Sequence, residues 1–484
     1  MKIRIVLALV TSIILFAQCK KDEIFSGSAT LAFSQDSILF DTVFTTVGST
    51  TKILKVFNPY KQTVNIASVS IRDGEQSFFR MNVDGRTGYS IRDVEILPED
   101  SIFIFVEVTI DPKTDYAPGE AFNPFIKFDQ IIFNTNGNEQ TVDLIAWGQD
   151  AIFYTPDTYI NGLPPFSIIP DNTVWTFAKP VVIYGYAVVD SAASLTIEAN
   201  TQVHFHSGAG LWIYKHGTLT VNGEVNAPVV FQGDRLEAVY DDEPGQWDRI
   251  WINEGANNSV IKNAVVKNAF VGIQAETLVL TEDDLSKPTS TNWLELENVI
   301  IENASGYGLY GRNYRIKATN TLISNCGLYS VGLTGGGQYN FNHVTVGNYW
   351  SINGRQTPAM YISNVYEFPR GTINIRDIDN STFQNMIVYG NTDTEFDYEF
   401  DTQATVDVKF DYCLIKTTID VSDNSYFSNL FTNSDPRFVQ PSTLDFHLSS
   451  GSNAINAGTP STVFTDLDGN GRDGQPDLGC YEFF

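Results

Sequence analysis

The sequence predicts an all-β protein, in which an immunoglobulin-like β-sandwich precedes a right-handed parallel β-helix. Three observations predict this. A short apolar word containing Asn recurs in the second half of the chain, and alternating triplets recur every eight residues before it. Short strand-like segments separated by turn residues occupy residues 31–150. With 484 residues, the chain is also too long for one ordinary core.

The recurring word reads apolar, any, Asn, any, apolar, apolar, any, Asn. It occurs at 261–268, 296–303 and 318–325, with variants at 341–348 and 383–391. Its first polar slot holds, in order, Asn263, Asn298, Asn320, His343 and Asn385. The spacings of 35, 22, 23 and 42 residues fit coils of about 22 residues, some with an insertion. Asn side chains at equivalent positions of stacked coils can bond one another, so we predict a structural amide ladder.

The alternating triplets open at Leu195, Val203, Leu211 and Leu219. Alternation over three to five residues is typical of a strand with one buried face. Three such strands, eight residues apart, make one triangular coil. Because neighbouring coils bury each other's faces, stability is expected to be a sum of nearest-neighbour terms.

The first domain is predicted from seven short strands with turn residues between them. They are Leu31–Phe33, Ile53–Asn58, Val64–Ile71, Phe78–Val83, Ile102–Ile110, Ile131–Asn134 and Thr141–Trp147. This spacing indicates an immunoglobulin-like sandwich. The segments Val56-Phe-Asn58, Pro98 to Val106 and Phe133 to Asn136 resemble the hydin and abnormal-spindle type of that fold. That resemblance implies a spacer or protein-binding module without chemistry.

The N-terminus has the pattern of an export signal. Lys2 and Arg4 precede an apolar stretch from Ile5 to Phe16, which is too short for a permanent span. Phe16-Ala17-Gln18-Cys19 resembles a bacterial lipobox, and the charged residues after Cys19 resemble lipoproteins of Bacteroidetes. The resemblance implies lipidation of Cys19 and a surface-exposed position on the outer membrane. The alternative is a secreted protein cleaved without an anchor.

The segment predicted as a β-helix resembles right-handed parallel β-helix proteins among Bacteroidetes lipoproteins, which share the pectate-lyase-like fold. The segments that carry this resemblance are Gly210-Leu-Trp-Ile-Tyr214, Gly217 to Gly223, Gly245-Gln-Trp247 and the tail from Asn453 to Glu482. The superfamily includes polysaccharide lyases, glycoside hydrolases and adhesins, so the fold does not choose a function. The predicted boundaries are a signal peptide at 1–18, a lipid-anchored linker at 19–30, the sandwich at 31–150, a linker or cap at 151–180, the β-helix at 181–448 and a closing segment at 449–484.

The net charge excludes some classes of partner, and the positions of the cysteines predict the state of their thiols. The formal net charge of −27 argues against nucleic acid and against an anionic lipid surface. Cys326 occupies the slot that Ala269 and Ala304 fill in the other copies of the repeat, and Cys413 falls where Val344 lies when Phe410 is matched to Phe341. Such small apolar slots predict that the three cysteines after Cys19, which are Cys326, Cys413 and Cys480, are buried free thiols. Oligomeric state does not follow from the sequence.

The best candidate ligand site is an insertion between coils. It contains Tyr240, Asp241, Asp242, Trp247, Asp248 and Arg249. Aromatic and charged groups interrupt the apolar pattern there, as they would in a sugar-binding loop that lines a glycan-facing groove. The alternative is a solvated loop capped by Trp247.

The tail contains a candidate calcium loop. Asp466, Asp468, Asn470 and Asp477 match positions one, three, five and twelve of a D-x-D-x-N-G loop, and oxygen ligands around a glycine turn suit Ca²⁺. No helix is predicted on either side. The alternative is therefore a hydrogen-bonded structural cap.

The expected function is that of a cell-envelope lipoprotein whose β-helix offers a binding or scaffold surface, towards polysaccharide or other surface matter. The alternative is a carbohydrate-active enzyme, with lyase ahead of hydrolase. Hydrolysis requires paired carboxylates. The words Arg315-Ile-Lys317 and Asn391-Thr-Asp393 occur in polygalacturonases, but in the reverse order, and we interpret them here as chance.

Overall fold

The computed structural model describes residues 24–44, 48–110, 126–255, 257–277, 288–368 and 371–484. The chain divides into two compact units, Met1–Asp150 and Ala151–Phe484. The predicted signal peptide at 1–18 and the lipidation site Cys19 lie outside the described residues. Among the described residues, no helix combines the length and the apolar character that a membrane crossing requires.

The first unit consists of two five-stranded sheets around one apolar core. One sheet has the order β1-β3-β8-β5-β6 and the other β2-β10-β9-β4-β7. The strands are β1 Ala32–Phe33, β2 Ser37–Phe44, β3 Lys52–Phe57, β4 Val64–Ile71, β5 Phe79–Val83, β6 Arg86–Thr87, β7 Ser90–Ile96, β8 Ser101–Val108, β9 Ile126–Thr135 and β10 Asn138–Gln149. A single-turn 3₁₀ helix spans Gly74–Gln76.

The sandwich is confirmed, but the sequence missed β2, β6 and β7. In β7, Asp93 adopts a left-handed conformation at φ 52°. The buried residues Ile91 and Val94 are therefore three positions apart, which breaks the alternation that reveals a strand. β2 pairs in parallel with β10, a pairing that no local pattern indicates.

The second unit begins with coils of three short strands. They are β11 Ile152–Tyr154, β12 Phe166–Ile168, β13 Thr173–Trp175, β14 Val181–Ile183, β15 Tyr186–Val189, β16 Ser194–Glu198, β17 Gln202–Phe205, β18 Gly210–Ile213, β19 Thr218–Asn222 and β20 Val229–Gly233. Each strand pairs in parallel with the strand one coil later, and Leu195 lies opposite Leu219 as the triplets predict. The parallel β-helix is confirmed.

Residues 151–180 are the first coil of the helix. Their Pro content predicts a linker or cap instead. However, Ile152 pairs with Val181, Phe166 with Tyr186 and Thr173 with Leu195. The prolines lie between these short strands, where no ladder hydrogen bond is needed.

The later coils have longer strands because adjacent faces join at one-residue corners. They are β21 Trp247–Ile252, β22 Ser259–Lys267, β23 Ala269–Glu276, β24 Trp293–Glu302, β25 Tyr307–Ser324, β26 Val331–Asn348, β27 Met360–Ser363, β28 Val365–Glu367, β29 Ile373–Ile375, β30 Ile378–Gly390, β31 Phe396–Glu399, β32 Val406–Ile415, β33 Phe427–Ser428 and β34 Phe431–Thr432. A 3₁₀ helix, Ala238–Tyr240, precedes β21. β28 and β29 form a small antiparallel hairpin outside the coils.

The recurring Asn residues are these corners. The ladder register places residues 263, 298, 320, 343 and 385 in one line along the stack. All five have positive φ, between 45° and 55°. Asn tolerates this conformation better than other residues with a side chain. Two physical reasons therefore favour Asn at this position: the left-handed backbone of the corner and the predicted hydrogen bonds between side chains.

The amide ladder is present but interrupted. Asn298 donates to Asn263 Oδ1 at 3.1 Å, and Asn303 donates to Asn268 Oδ1 at 2.7 Å. Asn320 instead donates to the carbonyl of Thr465 at 2.6 Å. The ladder therefore also anchors segments that pack on the outside of the coils.

Substitutions of Asn303 separate the contribution of the left-handed backbone from that of the side-chain hydrogen bonds. Asn303 has φ 56° and donates to the carbonyl of Asp242 at 2.6 Å as well as to Asn268. We expect Asn303→Ala to destabilise the β-helix by about 2–4 kcal/mol, because strain adds to two lost hydrogen bonds. Asn303→Gly should cost about 1–2 kcal/mol less, since glycine accepts this φ. Urea unfolding would measure both, and equal losses would contradict a strained corner.

The C-terminal residues cover the outside of one face. β35 Phe438–Gln440 and β36 Asp445–Leu448 form an antiparallel pair, with a 3₁₀ helix at Pro441–Thr443 between them. Phe446, Leu467 and Cys480 pack with Leu322, and Leu448 packs with Ile387 and Leu414. The covering segment therefore begins near 438, about ten residues before the predicted boundary.

The three cysteines of the described chain are buried and free, as predicted. Cys413 lies opposite Met386, in the line that the match of Phe410 to Phe341 predicted. Burial raises the pKa of each thiol to about 12. These thiols are therefore un-ionised core groups rather than nucleophiles.

Candidate functional site

Trp247, singled out as a sugar contact, lies in the core. Its side chain is 1% exposed, stacks on Phe205 with centroids 4.2 Å apart, and donates from Nε1 to the carbonyl of Lys267 at 2.9 Å. The prediction that Trp247 lines a glycan-facing groove is wrong. The sequence misled because the insertion ends at Gly245, so Trp247 already belongs to the inward pattern of β21.

The predicted loop itself is fixed to a corner of the coils. The backbone carbonyls of Asp241 and Asp242 accept hydrogen bonds from Asn268 at 2.7 Å and Asn303 at 2.6 Å. Arg235 lies 4.0 Å from the ring centroid of Tyr240. The side chains of Asp241 and Asp242 are exposed. This part of the insertion is a solvated loop, in agreement with the alternative interpretation.

Asp248 and Arg249 lie instead on a lateral face of the helix that carries aromatic side chains. Strands β15, β18, β21, β23, β25, β26, β27 and β31 run parallel across it. Their inward residues belong to the core, while one outward row consists of Val188, Trp212, Trp251, Gln274, Tyr310, Gly332, Tyr361 and Asp397. We call the outward side of these strands the aromatic face.

Two tryptophans form the start of the aromatic face. The rings of Trp212 and Trp251 stack with centroids 4.6 Å apart and an interplanar angle of 10°. Trp212 donates to Asn253 Oδ1 at 2.7 Å, and Trp251 donates to Glu276 Oε1 at 2.8 Å. Both N–H groups are thus satisfied within the protein, so this end of the face is rigid.

Two carboxylate–arginine pairs follow. Asp248 Oδ1 lies 2.9 Å from an Arg249 guanidinium nitrogen, and the Tyr186 hydroxyl bonds the other oxygen of Asp248. Glu276 pairs with Arg312 and is almost fully buried. Burial, together with the charge of Asp248, raises the pKa of Tyr186 well above its usual range. Each acid on this part of the face therefore has a fixed cationic partner.

Beyond these pairs, four tyrosines surround a glycine. Tyr307 lies 4.9 Å from Tyr310 and 5.5 Å from Tyr329, and Tyr329 lies 5.8 Å from Tyr361, between ring centroids. A Cβ added at Gly332 would lie 3.2 Å from Tyr307 and 3.5 Å from Tyr310. All four rings are partly exposed. We call this arrangement the tyrosine notch: Tyr307, Tyr310, Tyr329 and Tyr361 around the floor residue Gly332.

Two acidic residues lie at the end of the notch. Asp397 and Glu399 alternate on β31 and so share its outward side, with a backbone rise of about 6.5 Å between their Cα atoms. Tyr361 donates to Glu399 Oε2 at 2.8 Å. Burial and the charge of Glu399 raise the pKa of Asp397. Neither acid has an arginine partner among the ion pairs of the described residues.

Sequence analysis missed the tyrosine notch. Its residues come from three coils, and the spacing between Tyr310, Tyr329 and Tyr361 is irregular because the intervening loops differ in length. The local signal is a break in the alternation at Tyr307-Gly-Leu-Tyr310, where both tyrosines are partly exposed and the two residues between them are buried.

The candidate calcium ligands form a hydrogen-bonded cap. Asp466 Oδ1 accepts from the Asn470 backbone at 2.7 Å, and Asp477 accepts from the backbones of Asn456 and Phe483, both at 2.6 Å. Asp468 Oδ2 lies 2.8 Å from His447 Nε2. In the described part of the chain, no group of three or more His, Cys, Asp or Glu could hold a metal ion. The geometry agrees with the structural alternative, since backbone N–H groups bind the carboxylates of Asp466 and Asp477 and the His447 ring binds that of Asp468.

Comparisons with known proteins give no family. No protein-family model matches the sequence, and no curated protein matches it. Among solved structures, the chain is similar to a variant of the catalytic domain of GH87 alpha-1,3-glucanase in complex with nigerose. The identity is 10%, the match covers 75% of this chain and 81% of that chain, and the TM-score is 0.15.

Proposed function

We propose that this protein binds polysaccharide on the aromatic face of its β-helix, with the tyrosine notch as the main contact. The single observation that carries this proposal is the cluster of four partly exposed tyrosine side chains around Gly332. A sugar ring presents C–H groups on its faces and hydroxyls at its edge. Tyrosine matches both, because its ring is apolar and its hydroxyl forms hydrogen bonds.

The raised pKa values of three tyrosines in the notch make it a neutral hydrogen-bonding surface. Burial raises the pKa of Tyr310 to about 12, and it also raises the pKa of Tyr307 and Tyr329. All three are thus phenols at neutral pH, which can both donate and accept hydrogen bonds. A phenol with a raised pKa is a poor general base, which disfavours a lyase reaction at the notch.

The paired acids also favour binding over catalysis. Asp248 is held by Arg249 and by the Tyr186 hydroxyl, while Glu276 is held by Arg312 and is almost fully buried. A catalytic carboxyl group must instead lie within hydrogen-bond reach of the substrate. These pairs therefore give the face its shape rather than a proton donor.

Glycoside hydrolysis is a second candidate, favoured by Asp397 and Glu399. Inverting enzymes use two carboxyl groups about 6.5–9.5 Å apart, one of them protonated. Asp397 has the raised pKa, and its neighbour Glu399 accepts a hydrogen bond from Tyr361. The pair lies directly beside the notch, where a bound sugar would reach it.

One set of variants tests both candidates. We expect Tyr329→Ala to weaken binding to the polysaccharide that the wild-type protein retains, by roughly tenfold, because one stacking surface is lost. The control is Tyr159→Ala, since Tyr159 is 73% exposed and lies in the first coil. Affinity electrophoresis in polysaccharide-containing gels measures the effect. Unchanged retention of Tyr329→Ala would overturn the proposal.

The hydrolase candidate has its own readout. Asp397→Asn should retain the polysaccharide as the wild type does, because the notch is intact. If the wild type releases reducing ends and Asp397→Asn does not, hydrolysis replaces simple binding as the function. Release of reducing ends by neither protein removes the second candidate.

We propose a lipid-anchored place for this protein on the outer membrane, facing outwards. The support is the sequence around Cys19 and the acidic composition. We expect Cys19→Ser to abolish incorporation of labelled fatty acid and to release the protein from the membrane fraction of the expressing cells. Labelling of Cys19→Ser equal to that of the wild type would contradict lipidation at this cysteine.

A further inference from the structure

A cavity lies on a face of the β-helix other than the aromatic face. It has a volume of about 440 Å³ and lies over β24, β25, β26 and β30, with residues 462–465 as one wall. The floor includes Thr319, Asn340, Asn342, Thr382 and Gln384. We call it the Phe464 groove, after the exposed aromatic residue in its wall.

The floor of the groove is regular along the helix axis. Thr319, Asn342 and Gln384 lie opposite one another in successive coils, and Asn340 lies opposite Thr382. Successive parallel strands are about 4.7–4.9 Å apart. Amide and hydroxyl groups therefore repeat at a distance close to the length of one pyranose unit in an extended chain.

Part of this hydrogen-bonding capacity is unused. Asn342 Oδ1 accepts from Asn385 at 3.2 Å, and Asn340 Oδ1 accepts from Thr382 at 3.1 Å. Within the described residues, no hydrogen bond is recorded for the side-chain amide of Gln384 or for the amide nitrogens of Asn340 and Asn342. These donors are available to a ligand rich in hydroxyl groups.

The charged residues of the groove are paired. Glu297 lies 2.7 Å from Lys262 Nζ, and Glu295 lies 3.9 Å from Lys317 Nζ. No cation is therefore left over for an acidic sugar, and a chain of formal charge −27 repels polyanions. The groove suits a neutral ligand.

The wall presents an aromatic surface held in place. Phe464 is 75% exposed, while its carbonyl accepts from the Arg472 backbone at 2.8 Å. The neighbouring Thr465 carbonyl accepts from Asn320 at 2.6 Å. A solvent-exposed ring on a loop fixed at both carbonyls is suited to stack against the apolar face of a sugar.

The geometry points to a second carbohydrate site, in which a neutral oligosaccharide lies along the Phe464 groove with one pyranose against Phe464. Its hydroxyls bond the amides of Asn342 and Gln384 on adjacent coils. This site is separate from the aromatic face, and its ligand needs neither a carboxylate nor a metal ion.

Titration of the full chain with cellohexaose, laminarihexaose and maltohexaose tests the inference. Isothermal calorimetry should detect binding of at least one of them, with an affinity that does not change with salt. Phe464→Ala and Gln384→Ala should each weaken it by roughly tenfold. Phe177→Ala is the matched control, because Phe177 is 68% exposed elsewhere on the helix, and it should bind as the wild type does.

Comparison with Tyr329→Ala separates the two sites. Binding that Phe464→Ala weakens and Tyr329→Ala leaves unchanged supports the groove. Binding that only Tyr329→Ala weakens overturns the groove and supports the aromatic face instead. Absence of binding for all three oligosaccharides, or equal affinities of Phe464→Ala and the wild type, also overturns it.

Discussion

Replacing Trp247 by alanine should destabilise the β-helix by about 3–5 kcal/mol, one of the largest effects expected for a single side chain here. The indole is fully enclosed and stacked on Phe205, and its N–H satisfies the carbonyl of Lys267. Alanine would leave a cavity and an unpaired carbonyl in the core. Urea unfolding followed by circular dichroism measures the loss.

Trp247→Phe is the matched control for this change. It retains an aromatic ring against Phe205 but removes the N–H donor, so we expect a loss of about 1–2 kcal/mol. The sandwich has its own core, and its unfolding transition should stay in place as an internal reference. If Trp247→Ala lost polysaccharide binding without losing stability, the core assignment of this residue would be wrong.

Removing one member of the Arg355–Glu395 pair should have an effect of similar size. Both side chains are almost fully buried, and Glu395 also accepts from the backbones of Ala359 and Thr392, at 3.0 and 2.7 Å. Glu395→Leu leaves the Arg355 charge buried without its partner. We expect a loss of about 3–5 kcal/mol in the free energy of unfolding.

The double variant Arg355→Leu/Glu395→Leu tests the physical reason. Because it removes both charges, its loss should be much smaller than the sum of the two single losses. Additive losses would show that the two residues contribute through separate packing contacts. Glu395 directly precedes β31, so Glu395→Leu should also weaken polysaccharide binding at the neighbouring notch.

The sequence predicted the coils well because their rules are local. An alternating triplet buries the same face wherever it occurs, and a one-residue corner requires a left-handed backbone, for which Asn is suited. Leu195 opposite Leu219, and Asn263 in line with Asn298, follow from these rules alone. The same rules did not predict strand β7, because the left-handed residue Asp93 breaks its alternation.

The candidate site was predicted only in part. Asp248 and Arg249 do lie on the aromatic face. The sequence, however, predicts them as part of a sugar-binding loop, and that loop is attached to the corner residue Asn303 instead. Trp247 differs from Trp251 by four positions in sequence, yet one is core and the other faces outwards. A register shift between Arg249 and Ile250 in β21 turns Trp247 towards the core and Trp251 outwards. The amino-acid composition of the strand does not reveal this shift.

The sequence by itself determined the all-β class, the alternating strands of the coils and the line of recurring Asn residues, because these depend on patterns within about twenty residues. Only the tertiary structure decided which side chains meet across coils. It brought Tyr307, Tyr329 and Tyr361 together around Gly332, and it placed Phe464 in the wall of a groove whose floor includes Asn342 and Gln384. Those contacts depend on loop lengths and strand register, which set the lateral neighbours of a residue but leave no trace in its own sequence environment.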